Sequence, residues 1–441
     1  MIHGQSLPVW ATGLPKTWIA RRLKYDATFN DDKLPEDFPE DADIDYIEIS
    51  DVSQLRGVER FETVAFGDAP SRARRKLKSG DTLLSTVRTY LKAVAFVDAS
   101  VANSVASTGF AVVRPGKQFN PRFLSWVLQS DIFVNEVVSY SVGVSYPAIN
   151  AIDVANLIAI QPPLDVQHAI AAHLDRETAK IDTLIAKKRE LIAKLKEQRS
   201  ALISRTVTRG LPPEAAQAAG LDPNPPMRDS GVEWLGEVPE HWEVKPLGYL
   251  VDIVGGGTPD KSNPDYWKGA IPWVSAKDMK TAFIQDSEDH ISEVALANSA
   301  ATLVPVSSIL VVVRGMILLH TFPVALTLAE VAINQDMKAL ICGESISPKF
   351  LFWAISGAAN HLTASADEAA HGTKKIDTGV LKSLNLGLPT IFEQFEVVKY
   401  LDCTTASLDT LVAGVETAIT RLTEYRAALI TAAVTGQVNV R

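Results

Sequence analysis

Cysteine is almost missing from this 441-residue chain: Cys342 and Cys403 form no CxxC pair and join no Cys/His cluster at metal-ligand spacing. That excludes a disulfide framework and a zinc site, and fits a reducing cytoplasm. The start, MIHGQSLPVW, lacks a basic region followed by an apolar core, so it does not read as a secretory signal. The long apolar stretch 304–329 is broken by Arg314, His320 and Pro323, which points to buried strands rather than a membrane span.

Catalytic signatures are scarce too. There is no GxxxxGK[ST] phosphate loop and no GxSxG, and GGGT at 255–258 is a lone glycine run before a turn. His168 and His173 are five apart and point in different directions on a helix, so they do not pair on a metal. NPPM at 224–227 departs from the amino-methyltransferase pattern Asn-Pro-Pro-aromatic, because Met227 replaces the ring that would stack on a flipped base. No catalytic residue, metal site or chain-bound cofactor is expected. A formal net charge of −9 excludes chain-wide attraction to nucleic acid, so any such binding must rest on local basicity. With 46% hydrophobic and 22% charged residues, the chain is ordinary globular material, long enough for two or three cores.

What is present is a repeat. PVWATGLPKTW (8–18) lies over the segment ending GEVPEHW (236–242) with an offset of 224, matching Trp10 with Trp234, Pro15 with Pro239, Trp18 with Trp242, Leu23 with Leu247 and Tyr25 with Tyr249. YIEISDV, ending near Asp51, lies over WVSAKDM, ending near Asp278. DTLLSTVR (81–88) matches SSILVVVR (307–314), and NPRFLSW (120–126) matches SPKFLFW (347–353). Residues 174–208 then align without a gap to 401–435, with identities Asp175/Asp402, Asp182/Asp409, Arg199/Arg426 and Leu202/Leu429. A period near 225 residues is far beyond the roughly 20–50 of solenoids, so this is a duplication of whole domains.

Each half ends in a heptad pattern. Leu401, Leu408, Val415, Leu422 and Leu429 recur every seven residues, with Leu411, Ala418, Tyr425 and Ala432 expected on the second seam. In the first half the seam is Leu174, Ile181, Lys188, Leu195 and Leu202, with Leu184 and Leu191 beside it; Lys188 is a polar intrusion suited to fixing register. Asp165 is expected as one N-cap, and Thr390 with Glu393 has capping-box spacing for the other. Gly210, Pro212 and Pro213 open a Pro/Ala/Gly-rich linker that runs to Arg228. A helix of some 43 residues would span about 65 Å. If the halves relate by a pseudo-twofold axis, the helices pack antiparallel and hold the globular units at opposite ends; the alternative is that both are ordinary elements of one large core.

Local basicity is present. Residues 71–92 carry seven basic side chains and one acid, whereas 31–51 carry ten acids and one base, which suggests an electrically polarised first domain. Arg72, Arg74, Arg75, Lys76, Lys78, Arg88, Tyr90 and Lys92 are the first half's candidates for DNA contact. In the second half the candidates are Lys261, Lys277, Arg314, Gly372, Thr373, Lys374 and Lys375. Arginine, lysine, hydroxyl and tyrosine side chains suit phosphate clamping and base-edge readout; a solvated charged face is the alternative for each. Arg88 and Arg314 equally suit strand ends paired with a carboxylate.

RDSGVEWLGEVPEHWEVKPL (228–247), IPWVSAKDM (271–279), GTKKI (372–376) and the two helix segments together resemble the specificity (S) subunits of type I restriction-modification systems, over essentially the whole chain. The resemblance implies an α+β fold with two tandem target-recognition domains and two long helices forming an antiparallel coiled coil with a pseudo-twofold internal repeat. The divisions would be 1–160 and 231–386 for the recognition domains, 161–210 and 387–441 for the helices, and 211–230 for the linker. It also implies a non-catalytic, cytoplasmic subunit of a prokaryotic phage-defence complex. Such a subunit reads a bipartite double-stranded DNA target, with the coiled coil setting the distance between half-sites. Two methyltransferase subunits would carry S-adenosylmethionine, and restriction-translocase subunits would join them. Two departures stand out: Val166 occupies the place of Glu393, so the Glu-Gln pair is present only as Glu393 and Gln394, and GVSYPAI (143–149) replaces HGTKKI. Apart from the resemblance, the residues also admit a duplicated scaffold that binds proteins only.

Overall fold

The computed structural model describes residues 14–369 and 372–438, so Trp10 and His371 lie outside the described residues. The chain forms two compact units, one of residues 1–190 with 415–441 and one of 191–414. Each long helix therefore begins with its own half of the sequence and ends in the other unit. The helices are Leu164–Arg209 and Ile391–Val434.

In the first unit, Ile19–Arg22 pairs antiparallel with Ile158–Gln161, closing the recognition region onto the helix that follows. Between these strands lie two four-stranded sheets. One runs Glu62–Ala65, Asp43–Ile47, Val105–Ser107, Ala73–Lys76; the other runs Ala27–Phe29, Phe110–Pro115, Thr82–Ser85, Val94–Phe96. The second unit repeats the plan. Glu243–Pro246 pairs with Asn385–Leu388, and the parallel pair Asp43–Ile47 with Val105–Ser107 has its counterpart in Ile271–Val274 with Val331–Ile333. The repeated aspartates act alike. Asp51 accepts from the Glu48 amide at 2.9 Å, and Asp278 accepts from the Ser275 amide at 2.8 Å.

NPRFLSW and SPKFLFW both start helices, for one physical reason. Asn120 accepts from the Phe123 amide and Ser347 from the Phe350 amide, with proline at the first helical position, where no amide hydrogen is needed. Trp126 and Trp353 on these helices are buried, and each indole donates to an aspartate of its own half's long helix, Asp175 and Asp402, both at 2.9 Å.

Within each unit the start of one long helix runs antiparallel to the end of the other. In the first, Arg426 donates to Asp182 at 2.9 Å and lies over the Trp126 ring. In the second, Arg199 is 2.9 Å from Asp409 and lies over Trp353. Ile430, Ala433 and Val434 join Ile170, Ala171 and Leu174 in one core, while Ile203 and Val207 join Val397 and Leu401 in the other.

The expected seam needs one correction. The line Leu174, Ile181, Lys188, Leu195, Leu202 is buried or half-buried, and so is Leu401, Leu408, Val415, Leu422, Leu429. Its partner line, however, lies four residues on rather than three: Thr178, Ile185, Ile192, Arg199, Thr206 in one helix and Thr405, Val412, Ile419, Arg426, Ala433 in the other. Of the expected second line, Leu184, Leu191, Leu411 and Tyr425 are exposed, while Ala418 and Ala432 are half-buried. Either spacing completes a heptad, and leucine content favoured the wrong side because threonine and arginine fill several inward positions. Asp165 also moves: it lies within the first turn of its helix, where a carboxylate opposes the amide dipole, rather than capping it. Thr390 does cap, accepting from the Glu393 amide at 3.3 Å. The Glu393 carboxylate turns elsewhere, to the Trp242 indole and His241, both at 2.9 Å.

The segment after Arg209 is not featureless. Gly210 stops the helix at φ 81°, Pro213–Ala218 is helical, and Met227–Asp229 pairs with Glu237–Pro239. Trp242 is 1% exposed against Gly210, and Trp234 stacks on His361. The repeated tryptophan–proline stretch thus packs the entry to the second unit's core.

Candidate nucleic-acid interface

Each unit turns at an arginine that closes an apolar strand. After Thr82–Ser85, the Arg88 amide donates to the Pro147 carbonyl at 2.8 Å and the Ile149 amide to the Thr86 carbonyl at 2.9 Å. Its guanidinium lies 4.7 Å from the Tyr146 ring centre. After Ile309–Val312, Arg314 pairs in register with Lys375 and Gly315 with Lys374, and the Ile376 amide donates to Val313 at 2.9 Å. The fold therefore gathers Arg314 with Gly372–Lys375, and Arg88 with the hairpin that GVSYPAI forms. The two loops occupy matching places although their side chains differ.

Around Arg88 the backbone is unusual: Arg88 and Lys92 adopt left-handed φ of 51° and 53° on either side of the short turn Thr89–Leu91. Non-glycine residues rarely take that conformation, and such strain concentrates at working surfaces. Tyr90 is exposed on this turn, Lys92 pairs with Asp131 at 2.8 Å, and the Thr89 hydroxyl bonds that of Ser141 at 2.8 Å.

The basic run before it behaves differently from the expectation of a polarised domain. Arg72 pairs with Glu48, and Lys78 with Asp32 at 2.6 Å. Arg114 joins Asp32 at 2.7 Å and the buried Asp81 at 2.8 Å. Lys78 and then Arg114 hold the Asp32 carboxyl down at about 2. Arg74 stacks on Phe66, and burial lowers the affinity of Arg75 for its proton from the ordinary arginine value. Lys76 is exposed. Two bases of the 71–78 run, Arg72 and Lys78, thus meet acids of the 31–51 run. Sequence distance hid this, because only strand pairing brings Lys33 opposite Arg75.

In the second unit Lys277 is held by Asp289 at 2.7 Å and Glu288 at 3.3 Å. Lys261 lines an open cleft of about 270 Å³ with Trp267, Trp273 and Asp289. The residues that sequence reading leaves out are Val144 and Tyr146, exposed on the first hairpin, in the loop that departs from the HGTKKI pattern. Among the described residues no group of three His, Cys, Asp or Glu could hold a metal, and no helix is long and apolar enough to cross a membrane.

Residues 239–421 match the family described as type I restriction modification DNA specificity domain. The chain is 36% identical over 185 residues to the EcoR124I/EcoR124II specificity subunit of Escherichia coli, covering 42% of this chain and 45% of that protein. It is 24% identical over 376 residues to the HindI specificity subunit of Haemophilus influenzae, covering 75% of this chain and 79% of that one. A chain from a study of complex assembly and conformational transition of the type I R-M system shares its fold at TM-score 0.69 and 22% identity, over 96% of this chain and 99% of the other. The HsdS subunit of Thermoanaerobacter tengcongensis aligns at TM-score 0.50 and 22% identity, over 96% and 98%. In its second half by family match, and over most of its length by these likenesses, the chain is similar to type I restriction-modification specificity subunits.

Proposed function

We propose that this chain reads a bipartite double-stranded DNA target, one half-site per unit, and positions methyltransferase and restriction subunits without doing chemistry itself. The observation that carries the reading is the matched arginine-and-loop head, Arg88 with 143–149 and Arg314 with 372–376, presented once by each repeat. Guanidinium and ammonium groups on exposed loops serve base edges in a major groove, while further lysines meet phosphates and make binding salt-sensitive. The recognition divisions are 1–160 and 231–386, with 161–210 and 387–441 setting half-site spacing and 211–230 connecting them. Two methyltransferase subunits carrying S-adenosylmethionine would supply the base-flipping site.

The test is an exchange of residues 1–160 for those of a relative with a different target, followed by mapping of methylated bases in cells that carry the partner subunits. One half of the methylated sequence should change and the other persist. A change in both halves, or in neither, overturns the division. An assembled complex with no sequence preference would leave the protein-only scaffold in its place.

A further inference from the structure

The two heads differ in chemistry. Val142 and Ala148 exchange backbone hydrogen bonds of 2.8 and 3.0 Å, making a closed hairpin whose tip turns at Gly143, φ 116°. Beside the exposed hydroxyl of Ser145, its outer side chains are apolar and wet: Val142 is 80% exposed, Val144 fully exposed and Tyr146 62% exposed. Tyr90, on the strained turn beside it, is 53% exposed. This loop is not slack, since the Ser141–Thr89 bond, the Arg88–Pro147 bond and the Arg88–Tyr146 stack brace it against the sheet. A braced hairpin that exposes apolar groups beside an arginine is a recognition surface with few hydrogen-bond donors of its own. The equivalent strand of the second unit carries Lys375 opposite Arg314 and Lys374 opposite Gly315, with Asp367 and Glu368 on its other side, a head with more cationic donors than the first.

Resting on the reading that each unit serves one half-site, we infer that the first unit recognises the C5 methyl group of thymine through the apolar hairpin, with Val144 as the contacting residue. The major groove offers one apolar handle, the thymine methyl, while guanine O6 and N7 are acceptors that suit arginine and lysine. The second unit, by its donors, reads guanine. Arg88, engaged by Tyr146, supplies a stacked cation beside the methyl contact rather than a free fork.

The experiment uses the full chain assembled with its methyltransferase subunits on duplexes carrying the mapped target, with half-sites assigned by the exchange of residues 1–160. Each thymine is replaced singly by deoxyuridine, which removes only the methyl group. Binding should weaken about tenfold for at least one position in the first unit's half-site and stay within about twofold throughout the second. Val144→Ser should abolish that uracil penalty while leaving assembly and the second half-site unchanged. Lys374→Ala and Lys375→Ala should instead weaken binding to 7-deazaguanine-sensitive positions of the second half-site. Uracil penalties that are absent, or equal in both half-sites, overturn the inference, as does a first half-site without thymine. So does tighter binding when 5-methylcytosine, and not thymine, supplies the methyl. Loss of all sequence preference would instead defeat the underlying two-half reading, a different result.

Discussion

Gln167 and Gln394 stand 227 residues apart in sequence and do the same work. Gln167 accepts from the Asn120 amide at 2.8 Å and donates to the Gln118 and Pro162 carbonyls at 3.0 and 2.8 Å. Gln394 accepts from the Ser347 amide at 2.8 Å and donates to Ser345 and Pro389 at 2.9 and 3.0 Å. One residue earlier the two units part. Glu393 accepts a hydrogen bond from the Trp242 indole, whereas Val166 and the half-buried Trp18 pack as apolar groups against one core. A sealed indole N–H needs an acceptor, and one that reaches water does not. What both copies of the duplication keep is the buried glutamine that satisfies three backbone groups, and what differs is the carboxylate that serves Trp242.

The largest test of that comparison removes the shared glutamines. Gln394→Ala or Gln167→Ala strands three backbone groups, and each should cost about 3 kcal/mol of local stability. Hydrogen exchange at the start of the corresponding long helix measures it. Losses differing more than twofold would break the equivalence of the joints.

The arginines should sharpen it. Arg426 is 6% exposed and hydrogen-bonded to Asp182, while Arg199 is about one-third exposed and meets Asp409 as an ion pair. Arg426→Ala should cost about 2 kcal/mol and Arg199→Ala about 1, because removing the better-buried cation leaves its carboxylate less compensated. Denaturant titrations followed separately in each unit decide the order. Glu393→Val comes next: with the Trp242 N–H orphaned, about 1–2 kcal/mol should be lost, and the reciprocal Val166→Glu should not stabilise the first unit.

Leu184→Glu, Leu191→Glu and Leu411→Glu should each change thermal stability by less than about 0.5 kcal/mol, since these side chains face solvent. A large loss at Leu411 would restore the three-residue seam. The smallest effect is acid-dependent. With its carboxyl held at about 2 against an ordinary 3.8, Asp32 stabilises the first unit fully above its ordinary value, and that contribution fades as pH falls through about 2. Asp32→Asn should flatten the first unit's unfolding profile across that window, read by fluorescence against pH.

The repeat was legible because large, rarely interchangeable side chains carried it. Trp18, Trp126, Trp242 and Trp353, with Pro121 and Pro348 starting the helices of Trp126 and Trp353, keep their order in both halves, as do the heptad lines of Leu174 and Leu401. The interface was only partly legible. Arg88 and Arg314 each lie where an apolar strand meets a loop, whereas Arg72 and Lys78 are occupied by Glu48 and Asp32. Val144 left no signal, because an exposed valine and a buried one look alike in a string of residues.

By itself, then, the sequence determined the duplication and the two long helices, both of which rest on local spacing and residue type. Tertiary structure decided which side of each helix faces its neighbour, which charges stay available, and which loops become heads. Those depend on strand pairing and burial between residues tens to hundreds of positions apart, and local spacing contains no term for them.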